Sequence, residues 1–375
     1  MVRLTQLIQK GLKKVVGRKD IPEDEVVPLA DSLQPRSAAS FEAAPVGESP
    51  YRKKRAASGD AQGAEAYLER YNGLQELYRE LHAAVTFTLN GTLHREKIIS
   101  VVSRVVDAFQ AQPYNELMLM AYSFSRKNYL TAHIANDVIL TVAFGLSLGY
   151  EREDVVDLGL CAFTHDLGML GFESIARKDQ RLSSQEIDDI KRHPMIAAGI
   201  IRPVFSEKIA SVVTDIHERE NGQGYPRGIP GAQIHIWAKI IAVCDTFEAL
   251  THPRVFRAPY SPYEAMKIII KKKDLFFNDV VVKRFIDFMS IYPVGVLVYL
   301  NTGEMALVIA GNIGATTRPV VRILVNENRE VEDAPRIIDL AHQNFVYISG
   351  VVDPEKEKEV LYFLKPRGQV DLDEA

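Results

Sequence analysis

Residues 163–168 read FTHDLG and place His165 directly before Asp166 at the end of a mostly apolar segment. Successive helical residues point about 100° apart, so an adjacent His–Asp pair reaches one centre only near a helix end or from both flanks of a groove. Gly168, which follows two residues after Asp166, can break the helix there. Imidazole and carboxylate together suit iron, manganese or zinc. The stretch therefore indicates a candidate metal site at a helix end.

Four other positions carry side chains of the same chemistry, namely His133, His193, His217 and Asp245. An ionised Asp245 within the apolar run 240–245 is costly unless a cation or hydrogen-bond donors compensate it. Taken singly these signals are weak, because a lone histidine is more often a satisfied surface or core residue than a ligand. Asp245 alone could equally be a helix cap or a salt-bridge partner. The remaining histidines and both cysteines are interpreted as ordinary surface or core residues without a functional role. They are His82, His94, His235, His252, His342, Cys161 and Cys244.

The order of these residues along the chain resembles the HD-GYP family. The matching run is His133, His165-Asp166, His193-Pro194, His217-Glu218, Asn221-Gly222-Gln223-Gly224-Tyr225-Pro226 and Asp245-Thr246-Phe247-Glu248-Ala249-Leu250-Thr251. The resemblance covers roughly residues 115–290. It implies an all-helical HD-type metal phosphohydrolase domain that hydrolyses cyclic di-GMP, or a related cyclic dinucleotide, in bacterial second-messenger signalling.

The resemblance also implies roles for individual residues, with His165 and Asp166 as the catalytic pair. It implies two divalent metal ions, iron or manganese. The first would be held by His133, His165, Asp166 and Asp245, and the second by His193 and His217 with Asp166 as the bridge. Substrate would be bound by Gly224, Tyr225, Pro226, Arg254 and Arg257.

This chain departs from the family pattern at four positions. Ile216 stands where the family usually has a second consecutive histidine, which removes one ligand and weakens the second metal site. Met169 replaces a common lysine and so removes a cation from the phosphate site. Asn221 replaces an aspartate, and Tyr129 stands where members with three metals carry a glutamate.

Three functions remain open on the sequence. The first is a phosphodiesterase that acts on a cyclic dinucleotide. The second, favoured by Ile216 and Met169, is an inactive HD-GYP-like module that binds nucleotide or a protein partner without hydrolysis. The third is a general HD nucleotidase with one metal, which leaves the Gly224-Tyr225-Pro226 loop unexplained.

Composition bounds these interpretations. The chain has 375 residues, of which 47% are hydrophobic and 25% charged, typical of a globular protein and not of a disordered or collagen-like one. The formal net charge of −4 is too small for a global affinity for nucleic acid, so none is expected as a partner. Two cysteines exclude a disulfide framework or a four-cysteine zinc site. With no signal peptide recognised and apolar runs below the about 20 residues of a membrane helix, a cytoplasmic location is expected.

The chain divides into five predicted parts. Residues 1–62 are a basic amphipathic segment, 3–19, followed by a disordered linker, and residues 63–113 are a helical region. Residues 114–291 are the HD-GYP-like domain, 292–366 a small β-rich domain and 367–375 a tail. In the β-rich domain, the apolar runs 296–300 and 305–309 around a turn at 301–303 predict a hairpin, and 320–325, 345–348 and 360–364 are further predicted strands. Segment 3–19 could contact a membrane surface, although packing on its own protein is the more ordinary interpretation. The N-terminal region could bind a signalling partner protein. An apolar seam from Tyr67 to Val85 predicts a bundle helix or, alternatively, a homodimer contact.

Overall fold

The computed structural model describes residues 2–3, 61–111, 117–121, 129–172, 175, 182–252, 259–312 and 314–352. Among these residues helices dominate as far as residue 289, and the five-stranded sheet follows. The α-helices are α1 (Ala61–Leu89), α2 (Arg95–Ala111), α3 (Leu117–Met120), α4 (Tyr129–Ser147), α5 (Arg152–Thr164), α6 (Ser184–Ile190), α7 (His193–Ile201), α8 (Glu207–Asp215), α9 (Ile236–Thr251), α10 (Pro262–Lys271) and α11 (Asp279–Met289). The predicted mainly helical chain with a β-rich C-terminal part is confirmed.

Helix α1 contains the predicted apolar seam. Leu74, Tyr78, Leu81 and Val85 are buried in the same hydrophobic core as α2, and the side chain of Tyr67 lies outside the described residues. Helix α1 packs against α2 and α4. The bundle interpretation therefore accounts for the described part of the seam, while a homodimer stays a prediction.

Helices α4 and α5 pack against each other. His133 lies near the start of α4 and His165 directly after the end of α5. By length and composition, Tyr129–Ser147 and Arg152–Phe172 could each cross a membrane, but 83% and 78% of their apolar windows are buried inside the protein. Both form part of the helical core. Because such a helix is buried on nearly all sides, its polar side chains lie in the core and need hydrogen-bond partners among other buried groups.

The C-terminal part is a five-stranded antiparallel sheet. Its strands are β3 (Leu297–Leu300), β4 (Met305–Ala310), β5 (Val320–Val325), β6 (Val331–Asp339) and β7 (Ile348–Val351), in the order β6-β5-β4-β3-β7. The hairpin predicted around the turn at 301–303 is present, with Val298 paired with Ala306. The sheet joins the helices through Ser290, whose Oγ donates a hydrogen bond of 2.6 Å to the carbonyl oxygen of Thr316.

Two strands of the sheet differ from the sequence prediction. The strand expected at 345–348 lies instead at Ile348–Val351, and β6 was not predicted at all. Strand β6 contains Pro335, which normally argues against a strand, but an edge position tolerates proline because one side of the strand needs no partner. The strand expected at 360–364 lies outside the described residues.

At the other end of the chain, β1 (Val2–Arg3) pairs antiparallel with β2 (Thr92–Leu93), between α1 and α2. Arg3, the first residue of the predicted amphipathic segment, is thus in a short strand. The rest of that segment and the linker fall outside the described residues, so membrane contact and partner binding there stay predictions.

Candidate metal centre

The His165–Asp166 pair lies where α5 ends and a 3-10 helix, His165–Phe172, begins. Gly168 packs directly against the start of α7, because a Cβ built there would lie 2.1 Å from the carbonyl oxygen of His193. Only glycine permits this approach. The missing side chain lets the 3-10 helix bring the His–Asp pair and His193 to one centre.

A first cluster joins α4, α5 and α9. His133, His165 and Asp166 each offer a ligand atom, and these atoms lie within 4.8 Å of one another. His133 Nε2 lies 3.4 Å from Asp166 Oδ2 and 3.4 Å from Asp245 Oδ1. The four residues predicted to hold the first metal are therefore neighbours, and all four are buried.

A second cluster shares Asp166 with the first. Asp166, His193 and His217 also place ligand atoms within 4.8 Å of one another. His193 Nε2 lies 3.2 Å from Asp166 Oδ1 and 3.0 Å from His217 Nε2. Asp166 thus contributes to both clusters: Oδ2 lies toward His133, whereas Oδ1 lies between His193 Nε2 and His165 Nε2, which is 3.6 Å away.

The donor set fits divalent cations. The Nδ1 atoms of His165 and His193 lie 2.7 Å and 2.8 Å from the carbonyl oxygens of Ala162 and Ile190, which can only accept hydrogen bonds. Both Nδ1 atoms therefore carry the proton, and both Nε2 lone pairs point into the centre. His165 Nε2 is buried and has no hydrogen-bond partner among the described residues. Nitrogen and carboxylate ligands of this kind hold iron, manganese or zinc.

The protonation states of Asp166, Asp245 and His217 suit cation binding, whereas Glu248, Asp166 and Asp245 outweigh burial and raise the pKa of His133 well above its usual value, so a bound cation must displace that proton. Burial opposes ionisation of Asp166, but the imidazoles of His165, His133 and His193 outweigh it and hold the pKa of Asp166 well below its usual value. The same balance, with His133 and His217 as the main neighbours, lowers the pKa of Asp245 to about 2. Burial and the adjacent His193 lower the pKa of His217 to about 3, so its imidazole is neutral at pH 7. Ionised carboxylates and neutral imidazoles are the forms that bind metals.

A buried hydrogen-bonded chain behind His133 was missed in the sequence. Glu248 pairs with His133 Nδ1, accepts a bond of 3.2 Å from Asn136 Nδ2, and lies 3.1 Å from His252 Nδ1. Tyr78 completes the chain by donating a 2.8 Å bond to Asn136 Oδ1. A carboxylate behind a ligand histidine fixes its tautomer and orientation. The available signal was spacing: Asn136 follows His133 by three residues, as Glu248 follows Asp245, so each pair shares a helix face.

The Gly224-Tyr225-Pro226 loop covers the second cluster. The Tyr225 backbone N–H donates to the carbonyl oxygen of His217 at 3.2 Å. Glu218, fully buried, accepts backbone hydrogen bonds from Arg227 at 2.7 Å and Ile229 at 3.1 Å. Glu218 therefore clamps the loop, and its adjacency to His217 in the sequence couples the loop to the metal ligand.

Comparison with known proteins agrees with this geometry. Residues 96–279 match the family model of the HD domain, and residues 297–360 match that of a KOW domain associated with HD domains. A cyclic di-GMP phosphodiesterase of Pseudomonas aeruginosa is 26% identical over 254 residues, which cover 66% of this chain and 60% of the relative. Residues 96–279 therefore carry an HD domain, and the resemblance of the chain to the HD-GYP family is confirmed.

Other HD-GYP relatives match shorter segments. A 3'3'-cGAMP-specific phosphodiesterase of Vibrio cholerae is 34% identical over 155 residues, covering 40% of this chain and 36% of the relative. A solved structure of an HDGYP protein from Bdellovibrio bacteriovorus is 16% identical, with a TM-score of 0.43 and coverage of 60% of this chain and 68% of that one. The chain spans less than two thirds of the length of the curated relatives described here.

The departures from the HD-GYP pattern have clear positions in the fold. Ile216 is completely buried in the hydrophobic core, next to His217 but offering no ligand atom. The ring of Tyr129 stacks on that of His133 with centroids 6.0 Å apart. Arg254 and Arg257 lie outside the described residues, so their part in substrate binding stays a prediction.

Proposed function

We propose that this chain is a metal-dependent phosphodiesterase that hydrolyses cyclic di-GMP or a related cyclic dinucleotide. The observation that carries the proposal is Asp166, whose carboxylate offers ligand atoms to both clusters of histidines. One carboxylate shared by two ligand sets is the arrangement that holds two metal ions close together. The named activities of the relatives in Pseudomonas aeruginosa and Vibrio cholerae support the same substrate class.

In this proposal His133, His165, Asp166 and Asp245 hold the first metal, and Asp166, His193 and His217 hold the second. When bound, such ions polarise a phosphodiester and supply a nucleophile at neutral pH. Two further side chains shield and orient the site. Tyr225 covers the second cluster and limits access of water to it, while Glu248 fixes the ring of His133. Iron or manganese is the metal we expect, since both accept mixed imidazole and carboxylate ligands.

A second candidate is a module that binds the nucleotide without cleaving it. Ile216 favours it, because an apolar side chain occupies a position from which the second metal would otherwise be held. The two proposals share a fold and a ligand and differ only in turnover. The homodimer, the partner at the N-terminal region and the cytoplasmic location remain predictions beside both.

Product analysis separates these candidates. Full-length protein, purified under reducing conditions and loaded with manganese or ferrous iron, is incubated with cyclic di-GMP, and products are resolved by chromatography. We expect linear pGpG or GMP with the wild type and none with Asp166→Ala. The matched control is Asp188→Ala, because Asp188 is exposed and lies on α6 away from the clusters. Intact substrate at every metal loading, with binding retained, would favour the module.

A further inference from the structure

The five-stranded sheet has one buried face. Successive residues of a strand point to opposite faces of a sheet. Tyr263 of α10 packs against the buried face, and its ring stacks on that of Tyr292 with centroids 5.7 Å apart. The side chains in the middle of this face are completely buried, and they include Val298, Ala306, Val308 and Val321.

The opposite face, called the outer face below, is also apolar. A continuous row crosses four strands, because Leu297 pairs with Leu307, Leu307 with Arg322, and Arg322 with Ile337. Ile337 is 49% exposed, and the other three are only half-buried. Three more half-buried apolar residues alternate with the buried ones on this face, namely Tyr299, Ile309 and Leu324. Among the described residues the outer face therefore lacks the second layer that makes the buried face inaccessible to water.

Arg322 lies in the middle of this row. Its Nε atom is buried and has no hydrogen-bond partner among the residues that the structure describes. A buried donor without an acceptor is unfavourable. Whatever covers the outer face should therefore bring an acceptor as well as apolar side chains.

The chain itself supplies a segment of this composition. The described part ends at Val352, whose backbone N–H donates to the carbonyl oxygen of Leu297 at 2.9 Å. The side chain of Val352 packs with Met305 and Val325 in a small cluster that includes Leu297. The sequence continues with DPEKEKE at 353–359, which has three glutamates, and with the apolar run VLYFL at 360–364. The polar stretch offers acceptors, and the run offers side chains that gain from burial.

The length of chain is sufficient for this contact. The eight residue steps from Val352 to Val360 span at most about 26–29 Å. Four steps between neighbouring strands lead from β7 to β6, and at about 4.8 Å each they add up to roughly 19 Å. The apolar run can therefore reach every strand of the outer face.

We propose that residues 360–364 pack on the outer face and cover the row from Leu297 to Ile337. The segment and the face are both apolar, so their contact removes both from water. This inference goes beyond the proposed function and does not depend on it, because all candidate metal ligands lie in the helical part of the chain.

Thiol labelling of the full-length chain tests the contact. Leu307→Cys places a reporter on the outer face, and both native cysteines are buried. The rate of its reaction with a maleimide is compared in two backgrounds, the native tail and a tail with Leu361→Asp and Phe363→Asp. We expect labelling roughly tenfold faster with the two aspartates, since the reactivity of a cysteine follows its exposure. The control Gln185→Cys, at an exposed position of α6, should react equally in both backgrounds.

Each other outcome overturns the proposal. Fast labelling of Leu307→Cys in both backgrounds would show that nothing covers the outer face. Slow labelling in both would show that something other than residues 360–364 covers it. Light scattering would then identify a second copy of the chain by a dimer mass that is lost on dilution. Thermal melting checks folding, and if Leu307→Cys does not fold, Ile337→Cys decides the question in the same two backgrounds.

Discussion

The ring of Tyr225 stacks on the ring of His217, with centroids 4.9 Å apart and planes inclined by 21°. The contact joins the Gly224-Tyr225-Pro226 loop to His217 of the second cluster. It depends on Gly224, since a Cβ there would lie 2.4 Å from both the backbone nitrogen of Arg219 and the Cα of Glu218. A displacement of the loop would therefore reach the metal centre.

Gly224→Ala is expected to push the loop away from Glu218 and Arg219. Overpacking of this kind costs about 1–3 kcal/mol of unfolding free energy. We expect a loss in that range by urea denaturation, together with a lower kcat/KM for cyclic di-GMP. Gly199→Ala is the matched control, because a Cβ there meets nothing within 4 Å and alanine stabilises a helix interior by about 0.5–1 kcal/mol. Equal stability of Gly224→Ala and wild type would contradict the packing argument.

Glu248→Gln should weaken metal binding although Glu248 is placed behind a ligand. Glutamine keeps an acceptor for His133 Nδ1 but removes the negative charge that strengthens this contact and makes the ligand more basic, and partners of this type are worth about 10–100-fold in metal affinity. Competition between the protein and a fluorescent chelator for manganese measures the effect. Glu153→Gln, at an exposed glutamate, is the control. An unchanged affinity would mean that the buried chain from Tyr78 to His133 serves stability alone.

Metal should stabilise the folded chain, since the two clusters are assembled only in the native state. A ligand at a hundredfold excess over its Kd adds about 2.7 kcal/mol. For a domain of this size that corresponds to roughly 5–10 °C in Tm. We expect this rise on adding manganese to EDTA-treated protein, little or none with Asp166→Asn, and a full rise with Asp188→Asn. A full response by Asp166→Asn would show that the ions bind elsewhere.

Ile216→His combined with Met169→Lys should raise turnover if the rest of the site is sound. The histidine would add a ligand next to His217, and the lysine would restore a cation for phosphate. Single-variant rates and the metal content of each protein separate the two contributions. A double variant that gains a metal but no turnover would indicate that the pocket differs in other residues as well.

His82 provides a pH prediction remote from the metal centre. Burial lowers the pKa of His82, and its Nε2 has no hydrogen-bond partner among the described residues. The unfolded chain therefore binds a proton more readily than the folded one, so stability is complete above the unfolded pKa of about 6.5 and declines as pH falls below it. In EDTA, urea denaturation at pH 7.5 and 5.5 should show a smaller loss for His82→Gln than for wild type. Equal losses would exclude His82 as a contributor.

The sequence indicated the helices and the ligand types because both depend on local patterns. The buried residues of α2 include Ile98, Val102 and Phe109, the positions that its helical spacing predicts. The hairpin of β3 and β4 followed from a turn between two apolar runs. Strand β6 was not predicted, because its charged residues and Pro335 give it little strand propensity. Its pairing with β5 stabilises it instead.

The sequence by itself determined which side chains could bind a metal. The adjacency of His165 and Asp166 and the order of the other histidines along the chain are the same however the helices pack. Only the tertiary structure decided which of them meet, that Asp166 faces both clusters, and that Glu248 lies behind His133 across 115 positions of sequence. Local propensity is set by neighbours in the chain, whereas these contacts depend on how α4, α5, α7 and α9 pack. A partner for a buried polar group is fixed only when that packing excludes water.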